Sequence, residues 1–299
     1  MEKLQIKVLD DVVLKGFTWK VKNPKANIVL MEGMEEHVSR YDEFAKFLNQ
    51  HGYSVSAIDT YGQGENVEKD LSNIGVWPKD GFRKQVTAHH MLVESLKKEG
   101  LPVYVFSHSM GSFMGQCYIQ MYPGEVNKIV LCGSGGKNPG VAIAYPFARL
   151  FVTEKKRDKK SKILNKLMFG NFNKKIKNPR TAYDWLNNNP DEVDKYIADP
   201  LCGFGPRCGF CFEFLKGMKG LYKKSGLSQI DKNLNIFLIA GSDDPVTNYG
   251  KFPIALTKMY NKYGVNNVTS KVFEGLRHEL TNEDRKQEVF DSVLAFFEK

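Results

Sequence analysis

A serine with small neighbours stands at the end of an apolar run, where it has the setting of a nucleophile. The run reads VYVFSHSMGS over residues 103–112 and places Ser109 between a buried strand and a small-residue helix start. This is the setting of a nucleophile elbow, Gly-x-Ser-x-Gly, whose strained turn tolerates only small neighbours; Ser107 replaces the first glycine. Ser109 is therefore the candidate nucleophile, and the amide of Met110 at the helix N-terminus would stabilise developing negative charge. The alternative is a turn with incidental serines.

A nucleophilic serine needs a base, and the base needs a carboxylate that orients it. In a strand–nucleophile–helix arrangement these groups follow the chain order serine, acid, histidine. Only one of the six histidines, His278, lies after Ser109, so it is the candidate base. The acid is expected where the apolar run of residues 235–241 ends, and the spacing allows both Asp243 and Asp244.

A second backbone donor for an oxyanion is expected in the loop after the third apolar run. There the chain reads MEGMEEH over residues 31–37. Gly33 would allow a sharp turn, and the amide of Met34 would then point at the same site as that of Met110. Glu32 is an obstacle, since a carboxylate beside an oxyanion is repulsive unless it points away or is paired.

Eight short apolar runs, bounded by Gly, Pro or Asp, predict the strands that must position these groups. The first two alternate in polarity around Asp10 and Asp11 and predict an antiparallel hairpin at a sheet edge. The later runs are followed by helical patterns that begin near Arg40, Gly81, Met110, Gly250 and Thr281, which predicts a parallel sheet with helices on both faces. Residues 135–228 contain no such run and are too long for a loop. We therefore expect a core of residues 1–134 and 229–299 with an inserted helical subdomain, 135–228.

Together these motifs resemble the alpha/beta-hydrolase family, and within it the monoacylglycerol lipase and lysophospholipase branch. The stretches that carry the resemblance are EGMEEHVSRYDEFAKFL, DTYGQGEN, SHSMGS, GSDDPV and GLRHELTNE. The resemblance implies an eight-stranded, mostly parallel sheet with an inserted lid. By that match the acid falls on Asp244 and the oxyanion donors are the amides of Met34 and Met110. The chain departs from the family at Glu32, where a histidine is usual, and at Tyr61 and Gln63, which replace an arginine and a histidine.

The resemblance implies a serine hydrolase that cleaves carboxylic esters of lipids through an acyl-enzyme, without a cofactor. A short-chain carboxylesterase and a proline-type aminopeptidase of the same fold are alternatives, and a non-enzymatic ligand-binding member is a third. Apolar side chains of the inserted segment are candidates for the wall of an acyl pocket: Phe147, Phe151, Met168, Phe169, Phe172, Tyr183, Trp185, Phe204, Phe210, Phe212, Phe214 and Met218.

The net charge of +9 is concentrated in one segment. Residues 151–180 hold eleven basic and two acidic side chains, and the remaining 269 residues sum to zero. Nucleic acid would require a distributed basic face, so we do not expect it as a partner. Residues 159–169, KKSKILNKLMF, predict an amphipathic helix with Ile163, Leu164, Leu167 and Met168 on one stripe. This pattern favours peripheral contact with an anionic membrane.

The five cysteines are an odd number and suggest free thiols in a reducing compartment. Cys202, Cys208 and Cys211 have a metal-like spacing, but no nearby histidine supplies a fourth ligand, so we predict no metal. The N-terminus has no signal-peptide pattern, and no apolar stretch is long enough to span a bilayer. The expectation is a cytoplasmic protein; the sequence says nothing of its oligomeric state.

Overall fold

The computed structural model describes residues 1–170 and 172–299, without the side chains of Pro139, Ala142, Ile143, Leu150, Phe151 and Leu167. Its eight strands follow the eight apolar runs. They are β1 (Glu2–Lys7), β2 (Val13–Trp19), β3 (Ala26–Met31), β4 (Tyr53–Ile58), β5 (Val103–His108), β6 (Lys128–Cys132), β7 (Asn235–Gly241) and β8 (Val268–Phe273).

The strands form one sheet in the order β1-β2-β4-β3-β5-β6-β7-β8. β1 and β2 pair as an antiparallel hairpin at one edge, and β2 is antiparallel to β4. All pairs from β4 to β8 are parallel. Because parallel strands end at the same edge of a sheet, the loops after β3, β5, β7 and β8 meet there. The predicted fold class, an eight-stranded and mostly parallel sheet, is confirmed.

Ten helices accompany the strands in the described part of the chain. They are α1 (Asp42–Gln50), α2 (Gly81–Lys97), α3 (Met110–Met121), α4 (Pro139–Phe151), α5 (Lys162–Phe169), α6 (Pro190–Ala198), α7 (Cys208–Gly220), α8 (Lys224–Leu227), α9 (Lys251–Lys262) and α10 (Lys286–Glu298). Measured by length and apolarity, no helix among the described residues is able to cross a bilayer.

The predicted helix starts are correct at Gly81 and Met110 and one residue early at Gly250. The first and last helices begin later than predicted because a short 3-10 turn precedes each of them, Val38–Tyr41 before α1 and Leu280–Asn282 before α10. The loops after β3 and β8 thus each end in a tight turn before the regular helix starts.

Alternate residues of the strands are buried in two separate cores, one on each face of the sheet. In β3, Val29 and Met31 join a core with side chains of α2, α3 and α9. Ile28 and Leu30 join the other core, with side chains of α1 and α10. The period of two is the geometry of a strand with helices packed on both faces.

The segment 135–228 contains α4 to α8 and two small apolar clusters of its own. Phe210 and Phe214 of α7 belong instead to the main core on the α2–α3 face. The segment is therefore packed on the sheet domain through α7.

Candidate functional site

Ser109 lies in the turn between β5 and α3 with strained backbone angles, φ 50° and ψ −116°. Its amide donates to the carbonyl of Cys132 on the neighbouring strand at 2.9 Å. Gly111 makes the turn possible, since a Cβ there would lie 2.2 Å from the carbonyl oxygen of Met31. The small residues around Ser109 predicted tight packing, and the structure has it. The packing holds Ser109, with its positive φ, at the carboxyl edge of the sheet.

A chain of two hydrogen bonds links Ser109 to a buried carboxylate. The Oγ of Ser109 lies 2.8 Å from Nε2 of His278, and Nδ1 of His278 lies 2.9 Å from Oδ2 of Asp244. Asp244 and His278 are almost fully buried. Asp243, the other acid that the spacing allowed, is exposed, and its carboxylate accepts a hydrogen bond from the hydroxyl of Ser242. The structure therefore brings Ser109, His278 and Asp244 together and leaves Asp243 outside.

Burial and charge act in opposite directions on the histidines of this site. Burial disfavours the charged form of His278, but the charge and hydrogen bond of Asp244 outweigh it and raise the pKa of His278 above its ordinary value. His108, whose ring lies 4.7 Å from that of His278, has no such carboxylate, and burial holds its pKa well below the ordinary range. Of the two rings, His278 is the one whose protonated form the site favours.

The two predicted oxyanion donors lie next to Ser109, Met34 in the loop after β3 and Met110 at the first position of α3. Neither the amide of Met34 nor that of Met110 donates a hydrogen bond within the described part of the chain. The loop that carries Met34 runs against the serine, because a Cβ at Gly33 would be 3.2 Å from the Cβ of Ser109. The amide of Gly33 itself is taken by the carboxylate of Glu36 at 2.6 Å.

Glu32 is fully buried, and one of its two carboxylate oxygens is hydrogen-bonded. Its Oε1 accepts hydrogen bonds from the amide of Thr60 at 2.6 Å and from the side chain of Gln63 at 3.3 Å. Burial, followed by the charge of Asp59, raises the pKa of Glu32 to about 8. The raised pKa favours the neutral form of Glu32, which weakens the repulsion that a carboxylate beside an oxyanion would cause.

Two of the departures from the family pattern, Glu32 and Gln63, are in contact with each other. The side-chain amide of Gln63 also donates to the carbonyls of Gly33 and Glu36, and its oxygen accepts from the amide of Glu35 at 2.8 Å. One side chain thereby fixes the loop around Met34. Sequence reasoning missed this role, although the joint replacement at residues 32 and 63 was the available signal.

A cavity of roughly 1060 Å³ opens beside Ser109 and His278. Seven of the predicted wall residues line it: Met168, Phe169, Phe172, Tyr183, Trp185, Phe214 and Met218. Four others lie elsewhere, since Phe210 is in the main core, Phe212 packs on a small cluster, Phe204 lies against Gly75 and Phe147 is exposed. The side chain of Phe151 is outside the described residues. The inserted segment contributes both apolar side chains and polar ones to the lining, the latter including Lys162, Asn165 and Lys166, and Glu35 and Glu36 line it near the loop of Met34.

Comparisons with known proteins agree with this arrangement. The family model described as serine aminopeptidase, S33, matches residues 22–285. A monoacylglycerol lipase of Mycolicibacterium smegmatis is 26% identical over 277 residues, covering 92% of this chain and 88% of the relative. The human monoglyceride lipase is 28% identical over 289 residues, covering 92% and 82%.

Among solved structures, a thermostable carboxyl esterase from Bacillus coagulans, solved in complex with glycerol, superposes with a TM-score of 0.91. It is 26% identical, and the match covers 100% of this chain and 98% of the esterase. The chain therefore belongs to the serine aminopeptidase S33 family and is a monoacylglycerol lipase-like alpha/beta-hydrolase.

Proposed function

We propose that the protein hydrolyses carboxylic esters of lipids, of the monoacylglycerol or lysophospholipid class, through an acyl-enzyme on Ser109. The observation that carries the proposal is the hydrogen-bonded chain Ser109–His278–Asp244 beside a large cavity that many aromatic and other apolar side chains line. The names of the relatives, monoacylglycerol and monoglyceride lipases, support the same substrate class.

In the proposed mechanism, Ser109 Oγ attacks the ester carbonyl while Nε2 of His278 takes its proton. Asp244 holds the hydrogen on Nδ1 and stabilises the imidazolium that forms in the buried site. The amides of Met34 and Met110 stabilise the tetrahedral oxyanion. His278 then gives its proton to the leaving alcohol, and water releases the fatty acid from the acyl-enzyme.

The inserted segment 135–228 is the proposed lid of this site. Side chains from α5 and α7 line the cavity next to Ser109, among them Met168, Phe214 and Met218. A cavity of this size with aromatic and thioether walls suits a long acyl chain, because burying each methylene stabilises the complex by about 0.8 kcal/mol.

A substrate panel tests the proposal against its alternatives. Purified protein is assayed with p-nitrophenyl esters of increasing chain length, a monoacylglycerol, a lysophosphatidylcholine and a prolyl amide. We expect turnover of the lipid esters and a kcat/KM that rises with acyl length. A preference for the shortest esters would favour a short-chain carboxylesterase. Cleavage of the prolyl amide alone would favour an aminopeptidase. Absence of any turnover would favour a ligand-binding protein.

We further propose that the basic lid contacts anionic membranes at their surface. Of the eleven basic side chains in residues 151–180, ten are exposed and Arg157 is half-buried. In α5 the predicted apolar stripe is divided: Leu164 is buried, whereas Ile163 is 58% exposed, and the side chain of Leu167 is outside the described residues. Ile163 is thus available to enter a lipid interface beside lysines.

Charge reversal on α5 tests the membrane proposal. Lys162→Glu with Lys166→Glu should weaken co-sedimentation with vesicles that contain phosphatidylserine, and added salt should weaken the wild type. The matched control reverses Lys258 and Lys262, which are also exposed and four residues apart, on α9. Equal loss in both double variants, or binding independent of anionic lipid, would refute a specific role of the lid.

A further inference from the structure

Three side chains with metal-ligand chemistry meet where the loop after β3 touches the inserted segment. Nε2 of His37, Oδ2 of Asp199 and the thiol of Cys202 lie within 4.8 Å of one another. Asp199 and His37 are separated by 162 residues in the chain and lie 2.9 Å apart. The histidine that Cys202 lacks in its own sequence neighbourhood is therefore supplied by the fold.

Neighbouring groups orient two of these three ligands, His37 and Asp199. Nδ1 of His37 bonds the hydroxyl of Ser39 at 2.7 Å, which leaves Nε2 directed at the cluster. Oδ1 of Asp199 accepts from the amide of Leu201 at 2.8 Å, which leaves Oδ2 directed there too. Metal-binding histidines commonly donate from their second ring nitrogen to such a partner, which fixes the ring and its tautomer.

The local charge favours a divalent cation. Arg40, three residues after His37, forms ion pairs with both Glu36 and Glu279, at 2.8 and 2.6 Å. These three groups carry a formal charge of −1 together, and Asp199 adds another. The positive charge of Arg40 is therefore compensated and does not repel a metal ion beside Cys202.

We propose that His37, Asp199 and Cys202 bind one zinc ion whose fourth position is open to water. One thiolate, one imidazole and one carboxylate suit Zn²⁺, with bonds of about 2.0 to 2.3 Å in a tetrahedral arrangement. Such bonds separate ligand atoms by about 3.5 Å, so the cluster closes with shifts of about 1 Å. Binding releases the thiol proton of Cys202 to water, and the hydrogen of the neutral His37 ring lies on Nδ1, from which it is donated to Ser39.

The proposed zinc site joins the loop that carries Met34 to the segment around α6. His37 follows Met34 by three residues, and Asp199 follows the last residue of α6. The segment is already held there by hydrogen bonds, since the amide of Gly203 and the hydroxyl of Tyr196 donate to the carbonyl of Glu35 at 3.1 and 2.9 Å. A bound ion would fix the inserted segment against this loop and raise the thermal stability of the protein.

Cobalt is a direct probe, because a Co²⁺–thiolate bond absorbs in the near ultraviolet. Full-length protein is stripped with a chelator and titrated with Co²⁺, then with Zn²⁺ in competition with a chromophoric chelator. We expect one equivalent of Co²⁺, a thiolate charge-transfer band, its displacement by Zn²⁺ and a melting temperature that rises with Zn²⁺. The absence of that band would overturn the proposal. This test is independent of whether the protein hydrolyses esters.

Matched variants locate the site. Cys202→Ser should abolish the charge-transfer band, and Asp199→Asn should weaken Zn²⁺ affinity at least tenfold. Cys208→Ser should change neither, because Cys208 is equally buried but is not among the side chains grouped with His37 and Asp199. His90, with Glu94 and Glu125, forms a second group of possible ligands that lacks a thiol. Binding that survives Cys202→Ser and is lost in His90→Ala would also overturn the proposal.

Discussion

Replacing Asp244 by asparagine should nearly abolish ester hydrolysis without unfolding the protein. Oδ1 of Asp244 accepts from the amide of Val246 at 2.8 Å, and Oδ2 faces Nδ1 of His278 at 2.9 Å. In Asp244→Asn the oxygen keeps the bond to Val246, so the NH₂ group faces the ring. It then donates to Nδ1, which places the ring hydrogen on Nε2 and prevents His278 from accepting the proton of Ser109.

The expected loss is about 10⁴-fold in kcat, the effect of the same tautomer error in a serine protease. At about 1.36 kcal/mol for each factor of ten, this is about 5.4 kcal/mol of transition-state stabilisation. Full burial of Asp244 and His278 supports so large an effect, because solvent cannot replace the lost charge.

Asp243→Asn is the matched control. Asp243 is adjacent in sequence, exposed and not in contact with His278, so we expect its kcat to stay within about twofold of wild type. The assay is steady-state hydrolysis of a p-nitrophenyl ester, with thermal melting to verify folding. A folded Asp244→Asn variant that keeps more than a tenth of the activity, or an equal loss in Asp243→Asn, would refute the reasoning.

Three further predictions concern the surroundings of Ser109. Gly33→Ala places a Cβ 2.5 Å from Glu36 Oε1 and should lower kcat about 100-fold by displacing the amide of Met34. In the control Gly220→Ala, the new Cβ meets nothing within 4 Å, and kcat should not change. Glu32 keeps its proton to a pH of about 8 when folded and to about 4.5 when unfolded. The free energy of unfolding of the wild type should therefore fall relative to that of Glu32→Gln as pH rises from about 4.5 to about 8, by on the order of 1 kcal/mol per pH unit. A difference between the two proteins that stays constant with pH in denaturant titrations would disprove this. Because the pKa of His278 is raised and the base must be neutral, kcat/KM should fall as pH drops through a value above 6.5; a profile flat to pH 5 would contradict that role.

The sheet and the positions of Ser109 and His278 were predictable because they depend on local patterns. Buried parallel strands are continuous apolar runs, and the turn after β5 requires small residues in fixed positions. A single histidine after Ser109 left no other choice of base. The acid was different, since Asp243 and Asp244 have the same chemistry, and only the geometry of the turn decides which of them is buried.

Contacts between distant segments were not predictable from local patterns. Nothing near Glu32 in the sequence indicates that Gln63, 31 residues later, satisfies its oxygen. The approach of His37 to Asp199 depends on how the inserted segment packs on the loop after β3. The exposure of Ile163 beside buried Leu164 likewise depends on which face of α5 meets α7 and α4.

Mapping a fluorophosphonate adduct by mass spectrometry tests the central claim most directly. The probe reacts with an activated serine, and we predict a single adduct on Ser109 that is absent, together with ester hydrolysis, in Ser109→Ala. Ser107→Gly is the matched control, because Ser107 donates its hydroxyl to the carbonyl of Val130 at 2.7 Å and faces away from His278. That variant should keep both labelling and activity. Labelling of another serine, or undiminished hydrolysis by Ser109→Ala, would contradict the account.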